Sequence, residues 1–156
     1  MIRTKKRMAL CAVLLIVMLS FIWGNSLRSG TDSGAMSGSV MAWINTFLHL
    51  SESGADTLHL VIRKIAHFTE FACLGALFAW LFGMLLTKRL PGRVLPLLCA
   101  FTAAGIDETI QCFIPDRGPS LWDVGLDTCG AAVGIVLLSV GYHIRKKNNT
   151  FLEETK

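Results

Sequence analysis

Met8-Ala9-Leu10-Cys11-Ala12-Val13-Leu14-Leu15-Ile16-Val17-Met18-Leu19-Ser20-Phe21-Ile22-Trp23-Gly24-Asn25-Ser26-Leu27 runs for twenty residues without a charge. As a helix rising about 1.5 Å per residue it is about 30 Å long, the thickness of a bilayer's hydrocarbon layer. The basic block Arg3, Lys5, Lys6 and Arg7 precedes it. A basic start followed by an apolar run also describes a secretory signal. However, Ser20-Phe21-Ile22-Trp23-Gly24 lacks the small-x-small pattern of a cleavage site, and further apolar runs follow. The segment reads as an uncleaved first membrane helix, residues 8–27.

Three more runs of this kind are expected. The second, residues 65–86, is uncharged from Phe71 through Thr87 but carries His67 and Glu70 in its first turns. The third, residues 94–114, has Pro96 in its opening turn, where a missing N–H costs little, and Asp107, Glu108 and Gln111 toward its far end. The fourth, residues 121–142, has Asp123 and Asp127 in its first two turns. Ser120 is its N-cap candidate, with Asp123 placed to complete a reciprocal cap. The fold class is therefore all-α: a single membrane domain over residues 1–156, a polytopic bundle of four transmembrane helices.

Composition agrees. The chain of 156 residues is 53% hydrophobic and 17% charged, against about 25% charged in a soluble domain. Its net charge of +4 is gathered in blocks at the ends of apolar runs. That pattern suits membrane orientation and argues against a nucleic-acid partner. With both termini cytoplasmic, Arg3, Lys5, Lys6, Arg7, Lys88, Arg89, Arg93, Arg145, Lys146, Lys147 and Lys156 lie inside, eleven positive residues against four outside, Arg28, Arg63, Lys64 and Arg117. The bias predicts a multi-pass protein of a bacterial cytoplasmic membrane with both ends inside.

The long outer connection, residues 28–64, opens on loop-forming residues and then puts Val40, Ile44, Phe47 and Leu48 on one helical side. Residues 39–50 are too few to span and suit an interfacial amphipathic helix, lying flat on the membrane or covering the bundle. Gly130 and Gly134, with Ala131 and Ala132, form a small-residue track on the fourth helix; Ala72, Ala76 and Ala79 form one on the second. Such tracks let helices approach closely in lipid. Five cysteines, Cys11, Cys73, Cys99, Cys112 and Cys129, show no metal-type pair spacing. They read as packed or lipid-facing thiols, with a Cys112–Cys129 disulfide as the alternative.

This topology brings the polar groups to one depth. The second helix enters from outside, the third leaves there and the fourth begins there. His67 and Glu70, then Asp107, Glu108 and Gln111, then Asp123 and Asp127 therefore converge at the outer end. Ionisable residues in membrane helices belong in a bundle interior or a wet cavity. Asp107 and Gln111 are four apart, as are Asp123 and Asp127, so each pair shares a face. Asp107 and Glu108 differ by about 100° around the axis, and Glu108 is the preferred one for the cavity.

Candidate roles follow from this chemistry. His67, Glu70 and Glu108 are the catalytic candidates: His67 or Glu108 would move a proton, and Glu70 would orient or charge-stabilise His67. Lys64, Asp107, Gln111, Arg117, Asp123 and Asp127 are the ligand-binding candidates. Arg117 stands between Pro115 and Pro119 in a stiff turn, where it serves either a phosphate or carboxylate ligand or a salt bridge that locks the turn. The excess of carboxylates calls either for protonation or for a cation. A hard divalent cation held by Glu70, Glu108 and Asp123 is chemically reasonable. No soluble cofactor is expected.

Three of these stretches together resemble the VanZ-like family of small membrane proteins. They are Arg63-Lys64-Ile65-Ala66-His67-Phe68-Thr69-Glu70-Phe71 with Leu74-Gly75, then Asp107-Glu108-Thr109-Ile110-Gln111 through Pro115-Asp116-Arg117, then Leu121-Trp122-Asp123-Val124-Gly125-Leu126-Asp127-Thr128. Phe21-Ile22-Trp23-Gly24-Asn25-Ser26, followed by Ser33 and Ser37, is similar to the family's first helix and its exit. The chain departs from the family pattern in having Asp116 before the arginine and Phe71 in place of a tyrosine. The position of Asp127 takes Asn or Asp in the family, which stresses hydrogen bonding over charge. The resemblance implies a link to low-level resistance to the glycopeptide teicoplanin. A phosphotransbutyrylase label carried by some relatives fits poorly, since transfer from a soluble thioester needs a cytosolic pocket.

The leading expectation is a cell-envelope membrane protein whose outward acidic and histidine pocket binds or modifies a lipid-linked or cell-wall-related ligand. Whether it does so as an enzyme stays open, since no nucleophile stands out. Two alternatives are a non-catalytic envelope scaffold or stress sensor, and a small ion or proton transporter. Leu74, Leu77, Phe78, Leu81 and Phe82 leave the inner half of the second helix without the polar steps a conducting route needs.

Overall fold

The computed structural model describes residues 2–27, 52–86, 91–115, 118 and 120–154, and among these the only regular structure is helix. The order is α1 (Ile2–Ser26), α2 (Glu52–Leu85), α3 (Pro91–Gln111) and α4 (Leu121–Glu154). Three are long and apolar enough to cross a membrane: Thr4–Ser26, Leu60–Leu85 and Leu121–Arg145. The 21 residues of α3 extend about 31 Å, also a bilayer's depth. Its last two turns, however, carry Asp107, Glu108 and Gln111, which lower its apolar character.

Helix directions follow from the contacts. The thiol of Cys11 donates to the Leu77 carbonyl at 3.4 Å, while Asn25 bonds to Glu70, so α1 and α2 are antiparallel. Trp23 Nε1 donates to the Ala103 carbonyl at 3.4 Å and Gln111 Nε2 meets Ser26 Oγ at 3.5 Å, so α1 and α3 run the same way. Helices α2 and α4 are parallel and share the most extensive contact in the bundle. Gly130 lies against the backbone of Phe68, Gly134 against that of Ala72, and Gly75 against that of Ala131. The small-residue track on α4 is thus a seam of backbone contact with α2, and Gly75 completes it from the α2 side.

Cys11, Leu15, Ile22, Phe71, Leu74, Ala103, Ala104 and Val124 form the buried core. Leu10, Val13, Ile16, Val17, Leu98, Phe101, Val136, Leu137 and Val140 face outward. In water such an exterior would be untenable; in lipid it is the solvent-facing surface. Trp122 and Tyr142 are both exposed. Twenty residues apart on α4, they stand about 30 Å apart, where the aromatic belts of a bilayer are found.

Several boundaries differ from those expected. Helix α2 begins at Glu52, not at residue 65, so residues 52–64 are helix and not part of a loop. Glu52 and Asp56 suit a helix N-terminus, Leu58, Leu60, Val61 and Ile62 continue the apolar pattern, and no proline intervenes. Helix α4 continues past residue 142 to Glu154, because no proline stops it and Arg145, Lys146 and Lys147 are good helix formers. Pro91, not Pro96, opens α3; Pro96 lies inside the helix, fully buried, and removes one backbone hydrogen bond there. The predicted interfacial helix at 39–50 lies outside the described residues. All five cysteines are free thiols, Cys112 and Cys129 included.

Candidate functional site

At the end of the bundle that holds Ser26, Gln111 and Ser120, three helices contribute buried polar side chains. The buried polar residues of the described chain are Ser26, Asp107, Glu108, Gln111 and Asp127, all at this end. Among the described residues, the opposite end has exposed basic side chains and no buried polar one.

His67 on α2 is the centre of the group. Its Nδ1 lies 3.7 Å from Asp127 Oδ2 on α4 and 3.9 Å from Asp107 Oδ2 on α3. Both distances exceed a hydrogen bond, so the three groups are neighbours held by helix packing and charge. The parallel seam produces this arrangement. Asp127, Gly130 and Gly134 share one face of α4, and that face meets the face of α2 bearing His67, Phe68 and Ala72.

Asp107 is fully buried and held from two sides. Gln111 Nε2, one turn along, donates to its Oδ2 at 2.9 Å, and Ser26 of α1 also bonds to the carboxylate. Among the described residues its Oδ1 has no hydrogen-bond partner, nor do the two carboxylate oxygens of Asp127 and the buried Oε2 of Glu70. Four buried carboxylate oxygens without a hydrogen bond are unusual in a helical bundle.

Glu108 serves a different purpose one residue on. Its Oε2 accepts from the backbone N–H of Ser120 at 2.9 Å. Ser120 begins α4: its carbonyl accepts from the N–H groups of Asp123 and Val124. A reciprocal cap was expected from Asp123. Instead Glu108 of α3 satisfies the Ser120 N–H, and Asp123 is free to pair with Lys64 of α2. The cap reaches across from a neighbouring helix and ties the start of α4 to α3.

A recess opens between α2, α3 and α4. It is lined by Arg63, Lys64, His67, Glu108, Gln111, Asp123, Leu126 and Asp127. Its cavity volume of ≈ 20 Å³ is room for about one water molecule or bare ion. Of the residues singled out from sequence, Lys64, His67, Glu108, Gln111, Asp123 and Asp127 line this recess, and Asp107 lies behind them against His67. Glu70 sits one turn deeper, beside Asn25. Arg117 lies outside the described residues. Glu70, Glu108 and Asp123, the metal set considered from sequence, do not form the tightest group. Among the described residues the compact set is His67, Asp107 and Asp127, with one donor atom from each lying within 4.8 Å of the others.

The sequence reading placed Ser26, Asn25 and Arg63 in the stretches that carry the family resemblance and counted Arg63 among the outer positive residues, but gave none of them a role in the site. Ser26 and Asn25 are the last residues of α1, at the same depth as the acids, and their polarity at the end of an uncharged run was the available signal. Arg63 directly precedes Lys64 and faces the same recess.

The family model for VanZ/LLP1 matches residues 11–142. No curated protein and no solved structure matches the chain. The match runs from the first core residue of α1 to the end of the apolar part of α4 and includes every residue of the recess. On that coverage the chain, a multi-pass helical membrane protein, belongs to the VanZ/LLP1 family.

Proposed function

We propose that this protein acts in the bacterial cell envelope by binding, at the recess, the polar group of a lipid-linked or cell-wall-related ligand, and thereby contributes to resistance to glycopeptides such as teicoplanin. The recess opens at the outer leaflet, with both termini in the cytoplasm, in keeping with the eleven basic residues assigned inside. The observation that carries this reading is the set of unpartnered buried carboxylates beneath a rim that includes Arg63 and Lys64. Isolated charges at membrane depth are costly, and their usual place is a ligand or ion site.

The dimensions restrict what enters. With room for about one water-sized group, the recess takes the head of a ligand while the body lies along the bundle in the headgroup layer. Arg63 at the rim offers planar donors to a phosphate or carboxylate. His67 and Glu108 both face the recess, so either is available to a ligand proton. The apolar interior beyond the recess, with Cys11, Leu15 and Leu74 in its core, favours a binding site over a conducting path.

The test is teicoplanin susceptibility of cells expressing Glu108→Gln, Asp127→Asn or Arg63→Gln at membrane levels equal to the parent. Loss of protection by Asp127→Asn and Arg63→Gln is expected. Full protection from both variants would refute a role for the recess.

A further inference from the structure

We propose that His67, Asp107 and Asp127 form a binding site for a Zn²⁺-class divalent cation, with a further coordination position open toward the recess. The inference names a cofactor for the recess discussed above and relies on that reading only for what the bound ion would do.

The geometry is the first argument. Ligand atoms about 2.0–2.2 Å from a tetrahedral metal stand about 3.3–3.6 Å from one another. His67 Nδ1 is 3.7 Å from Asp127 Oδ2 and 3.9 Å from Asp107 Oδ2. These two separations are too long for hydrogen bonds and within a few tenths of an ångström of a shared ion; the Asp107 and Asp127 donors lie within 4.8 Å of each other, so binding would draw the two carboxylates inward. The three donors come from three helices, α2, α3 and α4, so one ion would join all of them.

Burial is the second argument, and it is independent of the spacing. Asp127 is 1% exposed and, among the described residues, neither carboxylate oxygen has a hydrogen-bond partner; Asp107 is 0% exposed and its Oδ1 has none there. Burying an ionised carboxylate without a partner costs several kcal/mol in order of magnitude. Glu70, one turn from His67, adds another buried oxygen without a partner. The nearby cation Lys64 is already paired with Asp123 and is half exposed at the rim. A divalent ion would supply the missing positive charge and occupy the missing acceptor positions together.

Donor chemistry selects the class of ion. One imidazole with two carboxylates suits Zn²⁺ and its transition-metal neighbours better than Mg²⁺ or Ca²⁺, which prefer oxygen alone. Three protein ligands with an open position is the pattern of a working zinc site, not a structural one. Gln111 and Ser26 would orient Asp107 from behind. An ion there would face the recess, where it would meet an anionic oxygen guided by Arg63.

The experiment uses the full chain in lipid nanodiscs, stripped with chelator, dialysed against Zn²⁺ and assayed by elemental mass spectrometry with no envelope ligand present. About one Zn²⁺ per chain is expected, and Co²⁺ should give the visible bands of a tetrahedral site. Asp127→Asn and His67→Gln should each lose stoichiometric uptake, Gln111→Ala should weaken affinity by about 10–100-fold, and His143→Gln, which removes an exposed imidazole toward the other end of α4, should leave it unchanged. Circular dichroism and monodisperse elution identify which variants are folded, and the proposal is judged on the folded ones and on the parent. No uptake by the parent protein, uptake of Ca²⁺ or Mg²⁺ but not Zn²⁺, or full retention by a folded Asp127→Asn or His67→Gln variant would overturn the site. Failure here with lost teicoplanin protection in Asp127→Asn would remove the metal but keep the envelope reading; uptake with unaltered protection would do the reverse.

Discussion

Replacing Gly134 by alanine exchanges one hydrogen for a methyl group, yet it should be among the most damaging small changes available in this bundle. A β-carbon there would stand 2.7 Å from the carbonyl carbon and 3.0 Å from the Cα of Ala72, with the carbonyl oxygen nearer still. Carbon atoms rest comfortably at about 3.5–4.0 Å, so clearing the carbonyl carbon alone would take a withdrawal of α4 by about 0.8 Å, and clearing the nearer carbonyl oxygen takes more. The obstacle is backbone, which has no rotamer to change. Overpacking of this kind costs about 1–3 kcal/mol, and the upper half of that range is expected here. The control is Gly141 on the same helix, where a β-carbon meets nothing within 4 Å. There alanine should be neutral or stabilising by about 0.5–1 kcal/mol, because it restricts the unfolded chain and favours helix. The two substitutions are chemically identical and opposite in predicted sign. Thermal unfolding in micelles, followed by tryptophan fluorescence, compares them directly. The displacement also has a functional side, since Gly134 is two turns from Asp127 on the same face. Withdrawing α4 widens the 3.7 Å separation of Asp127 from His67, so Zn²⁺ uptake should weaken as well. Equal stability of Gly134→Ala and Gly141→Ala would refute the backbone seam and the argument built on it.

Two other expectations are cheaper to check. Glu108→Ala should cost about 1–3 kcal/mol by leaving the Ser120 N–H without its acceptor, whereas Glu108→Gln keeps an acceptor oxygen and should cost less than half as much; thermal unfolding of the pair separates capping from charge. A membrane-impermeant maleimide should label Cys112, exposed at the recess end, in intact cells, and should spare buried Cys11; labelling of Cys112 only after lysis would reverse the proposed orientation.

Much of the architecture was legible because lipid imposes a simple rule. Any segment that crosses it must be apolar, helical and about twenty residues long, and uncharged runs of that length are visible by inspection. Helix ends were harder to see. Residues 52–64 and 143–154 are helical although they carry charges, because helix formation outside the hydrocarbon layer depends on propensity and on the absence of breakers. Pro96 misled for a related reason: a proline inside a membrane helix is tolerated when packing compensates, so it marks a start less reliably than in water.

The site was legible as a depth and not as a geometry. Spacing of four placed Asp123 and Asp127 on one face, yet Asp123 turns to Lys64 at the rim and Asp127 is buried against His67. Asp107 and Glu108 point about 100° apart. Sequence preferred Glu108 for the cavity; in the structure Glu108 lines the recess and caps α4, and Asp107 lies deeper against His67. Which of two adjacent acids faces a given neighbour depends on how each helix is rotated about its own axis.

The amino-acid sequence by itself determined that this protein is a helical membrane protein and that the acids within its apolar helices, with His67 and Gln111, gather at one end. Both follow from patterning along single helices, where apolar length and the position of polar residues are local properties. Only the tertiary structure decided that His67, Asp107 and Asp127 meet while Glu108 caps α4 and Asp123 pairs with Lys64. That choice depends on the close approach of α2 and α4 at Gly75, Gly130 and Gly134, a relation between helices that no one segment contains.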